Sequence, residues 1–275
     1  MRISMASLAG VEGRNSEDWC GASLDVALVL DGVSAPSGDE GGCLHGTPWY
    51  VRSLGLTVLE YANVDRALSL TDALAASIEA VASMHASECD LGNPGTPSAT
   101  VAMLRSCATT VEYLVLSDAT AVLSISDEIF AVTDQRVASV IADDAATCFA
   151  MAPGSSAQSE CIDAMIRNQR KRRNQPGGYW LAGAAPEAAK HALTGERTWS
   201  TGDSAMLLSD GAACLVDVYN CLRWPQLVAL AREQGVGEVL RTVRAAEADD
   251  PDGKRWPRFK RSDDATAILI QPDVA

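Results

Sequence analysis

Hydrophobic and polar positions follow two regimes along this chain. Short, nearly continuous apolar runs bounded by Gly, Pro, Asp or Asn predict strands. Longer stretches with apolar residues three or four apart predict helices. Residues 24–30 are apolar and rich in Val and Leu and run into Asp31-Gly32, a buried strand ending at a turn signal. Residues 49–62 carry a helical pattern. Ser69 and Asp72 form a capping box that opens a second helix, with Leu74, Ile78, Val81 and His85 on one face. His85 reads there as a half-buried helix position. The cluster Asn93-Pro94-Gly95-Thr96-Pro97 stops the helix. Residues 98–104, 111–116, 121–125 and 128–132 then read as an antiparallel meander. The pattern is weakest between 140 and 200, where it supports a helix over 156–173 and core packing of Tyr179 and Trp180. Residues 205–209 form a strand running into Asp210-Gly211, followed by helices over 212–219 and 224–246 and a last strand over 265–270. Strand clusters separated by helix pairs predict an α+β fold, with antiparallel sheets and helices packed outside them. No repeat or long linker interrupts the pattern, so one domain is expected over residues 1–275.

Composition narrows the function classes. Of 275 residues, 47% are hydrophobic, enough for a sizeable core. No apolar run approaches the roughly 20 residues needed to span a bilayer, and the N-terminus has no secretory h-region. The expectation is a cytoplasmic protein with no membrane partner. Lys plus Arg is 22 against 36 Asp plus Glu, a net charge of −14, which argues against nucleic acid as a partner. The eight cysteines contain no CxxC pair and mostly lie among apolar residues, so reduced, mostly buried thiols are expected. The three histidines are too scattered along the chain for a zinc motif. Serine-hydrolase, P-loop and dinucleotide-binding signatures are absent.

The carboxylates carry the chemical signal. Asp31 and Asp210 each close an apolar strand and precede Gly. Asp263 and Asp264 stand just before the last strand, Glu17 and Asp18 precede the first strong strand, and Asp118 lies at a strand-to-strand turn. One such residue is an ordinary turn former. As a set at strand ends, they can converge at one sheet edge, where they would repel one another unless cations neutralised them. Oxygen ligands without His or Cys select Mg²⁺ or Mn²⁺ over zinc.

In order and context these elements resemble the metal-dependent protein phosphatases, the type 2C serine/threonine phosphatases of bacterial type. Arg14-Asn15-Ser16-Glu17-Asp18 looks like the family's early Arg…Glu-Asp element, and Leu28-Val29-Leu30-Asp31-Gly32 like its strand ending in Asp-Gly. Pro97-Ser98-Ala99-Thr100-Val101 is similar to the Gly-Ser/Thr-Thr-Ala strand, and Leu116-Ser117-Asp118-Ala119 to the Gly-Asp-Ser turn. Leu207-Leu208-Ser209-Asp210-Gly211 and Ser262-Asp263-Asp264-Ala265-Thr266 match the Leu-x-Ser-Asp-Gly and terminal Asp-Asn/Asp-x-Thr elements. The resemblance implies a sandwich of two antiparallel sheets flanked by helices, with a metal site at one end and a variable flap-like segment around 140–200. It implies that Asp31 bridges two Mn²⁺ or Mg²⁺ ions, that the Gly32 carbonyl binds one, and that Asp210 and Asp263 complete the first. Glu17 and Asp18 are implied to hold water at the metals, and Asp118 to serve a third ion with Asp210. Arg14 is implied to clamp the substrate phosphate.

The departures from the pattern matter too. After Asp31-Gly32 the family's His or Met and Gly-Gly are replaced by Val33-Ser34-Ala35-Pro36 and a longer loop, in which His45-Gly46 comes late. His45 is either a proton donor to the leaving oxygen or a loop residue. Cys214 stands four residues after Asp210, where animal members carry another Asp, which leaves the third ion open. The basic run over residues 167–173 reads as a solvated helix face, or as a contact for acidic or phosphorylated substrates. The implied activity is hydrolysis of phosphate monoesters, most directly phosphoserine and phosphothreonine in proteins. A small phosphorylated metabolite as substrate, or a pseudophosphatase acting as a binding domain, are the alternatives.

Overall fold

The computed structural model describes residues 1–33 and 41–272. Two five-stranded sheets, antiparallel at every pairing, form its centre. The first has the order β1 (Arg2–Leu8), β10 (Ala265–Gln271), β9 (Ser204–Leu208), β6 (Thr120–Ile125), β7 (Glu128–Val132). The second has the order β2 (Trp19–Ala22), β3 (Val26–Gly32), β4 (Ala99–Cys107), β5 (Thr110–Leu116), β8 (Leu193–Thr198).

Alternation along the strands builds three apolar layers. Ala27, Val29, Ala102, Leu104 and Val115 face Ala121, Leu123, Ala205, Leu207, Ile268 and Ile270 between the sheets. The opposite side chains of the second sheet, Leu28, Leu30, Val101, Met103, Leu114 and Leu116, pack under helices α1 (Gly46–Val64) and α2 (Leu70–His85). Those of the first, including Val122, Met206, Leu208, Ala267 and Leu269, pack under α5 (Asp210–Asp217), α6 (Trp224–Gln234) and α7 (Val236–Asp249). This is the predicted α+β sandwich, and it explains the unbroken apolar run of β3. Val26, Ala27, Leu28, Val29 and Leu30 are all fully buried because both faces of the strand are covered.

Several local expectations change. The predicted meander is cut in two: β4–β5 stays in one sheet, whereas β6–β7 crosses to the other. The long helix over 224–246 is two helices broken at Gly235, whose φ of +89° is open to glycine at little cost. Ser69 does cap α2, accepting from the Asp72 amide at 3.0 Å. Cys148 and Cys161 form a disulfide between α3 (Arg136–Phe149) and α4 (Ser156–Arg170), so the thiols are not all reduced. Of the remaining six cysteines only Cys214 is buried. A helical hairpin brings the disulfide pair together, which spacing alone does not reveal. The basic run is not a solvated face throughout. Arg170 is buried, and Arg173 hydrogen-bonds the Ser98 hydroxyl and the Pro94 carbonyl. No described helix is long and apolar enough to cross a membrane.

Candidate active site

The carboxylates arrive from different strand ends. Asp31 is the penultimate residue of β3 and lies opposite Thr100 of β4. Asp18 directly precedes β2, Asp118 lies in the turn between β5 and β6, and Asp263 lies just before β10. Asp210 follows β9 and opens α5, where a negative charge complements the helix dipole.

The glycines after Asp31 and Asp210 serve close packing. Gly32 still belongs to β3 and Gly211 to the first turn of α5, and neither has positive φ, so the turn reading of these pairs is corrected. A Cβ on Gly32 would come within 2.4 Å of both the Glu17 carbonyl oxygen and Thr47 Cγ2, and one on Gly211 within 2.0 Å of the Asp264 carbonyl oxygen. Absence of a side chain therefore lets the Glu17 segment press on β3 and lets α5 press on the segment entering β10. Asp264 completes this assembly. Its Oδ1 accepts from the Gly10 amide at 2.7 Å and its Oδ2 from the Glu17 amide at 2.6 Å. Asp264→Ala is expected to cost about 2–4 kcal/mol, for two hydrogen bonds to a charged acceptor. Urea denaturation would show this as a lowered midpoint with an unchanged slope.

The electrostatics of the cluster are unfavourable without cations. Burial, followed by the charges of Asp210, Asp18 and Asp263, holds the Asp31 carboxyl well above the usual range. Asp31 also lies within interaction reach of Asp210, so the two carboxyls act on each other directly. Asp210 is raised too, by its dense surroundings and then by Asp263, although one side of the residue opens to solvent. Burial pushes Asp18 up to about 7, and the charges of Asp210 and Asp264 add to it; the hydroxyls of Thr266 and Ser209 pull the other way. Thr266 Oγ1 donates to Ser7 Oγ at 2.8 Å, while Ser209 Oγ accepts from the Thr266 amide at 2.9 Å. Neither carboxylate oxygen of Asp18 has a hydrogen bond of normal geometry among the described residues. Asp118 is likewise pushed up to about 7, by burial first and then by Asp210.

One cation that the sequence reading missed sits at the edge. Lys260 Nζ lies 2.7 Å from Asp263 Oδ1. Burial works against its charge, but Asp263, Asp31 and Asp210 together hold its pKa above the ordinary lysine value.

The orphaned buried oxygens of Asp18, among all-oxygen donors, fit hard divalent cations. Glu17 takes part through its backbone, donating to Asp264 and accepting from the Gly32 amide at 3.1 Å. Arg14 is exposed on a turn closed by its amide on the Val11 carbonyl. Ser117, in place of the family's turn glycine, adopts φ +66° just before Asp118. Cys214 is buried, and its thiol donates to the Gly211 carbonyl at 3.1 Å.

His45 has other company. It precedes α1, stacks on Trp49 at 4.3 Å, and sits with Cys43, His85 and Cys89. The expectation that the histidines are too scattered for a metal motif is thereby corrected: the packing of α1 against α2 joins two of them.

Comparison with known proteins places the fold. No family model and no curated protein matches the chain. Solved structures do. The serine/threonine phosphatase PstP/Ppp of Mycobacterium tuberculosis superposes with a TM-score of 0.59 at 15% identity, over 98% of this chain and 97% of that one. Stp1 of Staphylococcus aureus, also a serine/threonine phosphatase, gives 0.59 at 13% identity over 99% and 95%. A PstP catalytic domain in complex with two manganese ions gives 0.56 at 15% identity over 98% and 96%. The sandwich is the type 2C phosphatase fold.

Proposed function

We propose that this chain is a metal-dependent phosphatase that hydrolyses phosphate monoesters, phosphoserine and phosphothreonine in proteins being the favoured substrates. One observation carries the reading: Asp18, Asp31, Asp210 and Asp263, from separate strand ends, meet in a cluster in which burial and neighbouring charge hold the carboxyls of Asp18, Asp31 and Asp210 above the usual range. A fold needing only turns has no reason to gather them.

Asp31, with the Gly32 carbonyl, Asp210 and Asp263, would hold two Mn²⁺ or Mg²⁺ ions, and Glu17 and Asp18 would orient water beside them. Such ions, when bound, supply charge stabilisation to the transferring phosphoryl group and lower the pKa of water near neutrality. The manganese pair in the PstP structure supports that assignment. Asp118 would join Asp210 at a third ion. Arg14 is assigned to the substrate phosphate, two of whose oxygens a guanidinium can pair at once. A cleft of about 60 Å³ lined by Val33, Asp118, Arg170 and Tyr179 borders the site. It joins residues 140–200 to the metal ligands, which supports a substrate-selecting role for that segment. We take residues 1–275 as one domain and the protein as cytoplasmic.

Lys260 favours a second reading. Its ammonium already offsets charge at Asp263, as suits a pseudophosphatase that has kept the fold as a binding domain. Turnover of an aryl phosphate, a phosphopeptide panel and a phosphorylated-metabolite panel, each with Mn²⁺, Mg²⁺ or excess chelator, decides among the readings. Metal-dependent turnover that chelation abolishes is expected, with phosphopeptides preferred. Full activity in chelator overturns the metal assignment. No turnover with either metal leaves the binding domain.

A further inference from the structure

We propose that Cys43, His45, His85 and Cys89 form a structural zinc site, separate from the carboxylate cluster. The four donor atoms lie within 4.8 Å of one another. Cys43 Sγ is 3.5 Å from His85 Nδ1, 3.5 Å from Cys89 Sγ and 3.8 Å from His45 Nδ1. Cys89 Sγ is 3.5 Å from His45 Nδ1. A tetrahedron built with Zn–S near 2.3 Å and Zn–N near 2.05 Å has edges of about 3.4–3.8 Å. Four of the six donor separations therefore already match the edges of a coordination tetrahedron, and the full set, within 4.8 Å, needs only a small contraction to close on an ion.

The donor set selects the metal and the role. Two thiolates and two imidazoles in tetrahedral array suit zinc, and four protein ligands leave no open position for catalysis. Binding releases one proton from each thiol, and the two resulting thiolates balance the 2+ charge. Both histidines present Nδ1 to the sulfurs. The opposite nitrogen of His45, Nε2, faces Glu88 Oε2 at 4.0 Å, the kind of outer partner that orients a ligating imidazole. Trp49 fixes both rings, 4.3 Å from His45 and 5.0 Å from His85.

The placement explains what such a site would do. Cys43 and His45 enter α1, whereas His85 ends α2 and Cys89 follows it in the next turn. The Asp90 amide donates to the Gly42 carbonyl at 2.7 Å, so the two segments are already in register. Two residues beyond His45, Thr47 Oγ1 donates to the Val33 carbonyl at 3.4 Å, next to Gly32. Zinc would thus staple the start of α1 to the end of α2 and brace the backbone beside Asp31. His45 then has a structural role in place of proton donation.

The test is zinc content by mass spectrometry, on protein purified in reductant without chelator and incubated with Zn²⁺, beside the absorption spectrum of the Co²⁺-substituted protein. About one tightly held zinc per chain is expected, with a thiolate-to-cobalt charge-transfer band. Asp31→Asn should keep both signals, and the double variant Cys43→Ser, Cys89→Ser should lose them. His85→Cys should keep zinc and strengthen the charge-transfer band, a readout that does not depend on the double variant folding. Failure of wild type to take up zinc, a cobalt spectrum without thiolate bands, zinc lost with Asp31→Asn, or a Cys43–Cys89 disulfide persisting in reductant would each overturn the proposal.

Discussion

Asp31→Asn is expected to lower metal-dependent turnover of an aryl phosphate by about 10³-fold or more, while raising the melting temperature of the chelated protein. The first effect follows from the position of Asp31 between Asp210, Asp18 and Asp263, whose charges all act on it. A residue that would help hold the proposed cations would also support the electrostatic stabilisation that is commonly the largest catalytic term. The second effect runs against the usual cost of a buried polar substitution, about 1 kcal/mol of lost stability. An amide of the same shape cannot ionise, so it removes the cost of charging a buried group beside Asp210, Asp18 and Asp263 in the metal-free state. Asp210→Asn and Asp263→Asn should lose turnover in the same way. The pairing of lost activity with gained chelated stability separates a metal ligand from a structural residue. Turnover within about tenfold of wild type, or a melting temperature that falls in chelator, would refute the assignment.

How much of this was legible in the sequence depended on how many faces an element buries. β3, β4 and β9 are covered on both sides, and their apolar runs stood out. β1 and β8 are edge strands with mostly exposed side chains, so their pattern carried little hydrophobic signal and they went unread. Periodicity also does not say which sheet a strand joins, so the split of the predicted meander was invisible. The strand-end aspartates were readable because each sits in a short motif. The latch role of Asp264 was not, because its partners are distant in sequence, 254 positions for Gly10; Lys260 pairs with Asp263 three residues on, but only the fold sets it beside Asp31 and Asp210. The Cys/His cluster was hidden for the same reason. Its halves are some 40 residues apart, Cys43 and His85 being separated by 42 positions, and only the α1–α2 pairing brings them together. In the basic run, charge alone predicted exposure, whereas Arg170 and Arg173 spend their guanidinium groups on the protein itself.

Stability of the chelated protein is expected to fall as pH rises from about 4 to about 7, and bound Mn²⁺ should reverse that trend. Asp18 and Asp118 are pushed up to about 7, mainly by burial; Asp31 is raised by burial and then by Asp210, and Asp210 by burial and then by Asp263. In the unfolded chain the same carboxyls ionise near pH 4. Between those limits the folded state binds more protons than the unfolded state, so the free energy of unfolding decreases with pH. The sign is opposite to that of a carboxylate stabilised by a salt bridge: the contribution is fully present below about pH 4 and is lost as pH passes the raised values. Lys260 tempers the effect at Asp210 without removing it, since one ammonium faces several carboxylates. Cations bind the ionised form, so the stabilisation they give by mass action should grow as the carboxylates deprotonate. Thermal unfolding at pH steps from about 5 to about 8, in chelator and in Mn²⁺, should give curves that diverge with pH. Asp18→Asn should flatten the chelator curve. A chelator curve that rises over that interval, or a manganese gain that does not change with pH, would show that these carboxylates are not coupled through a common cation site.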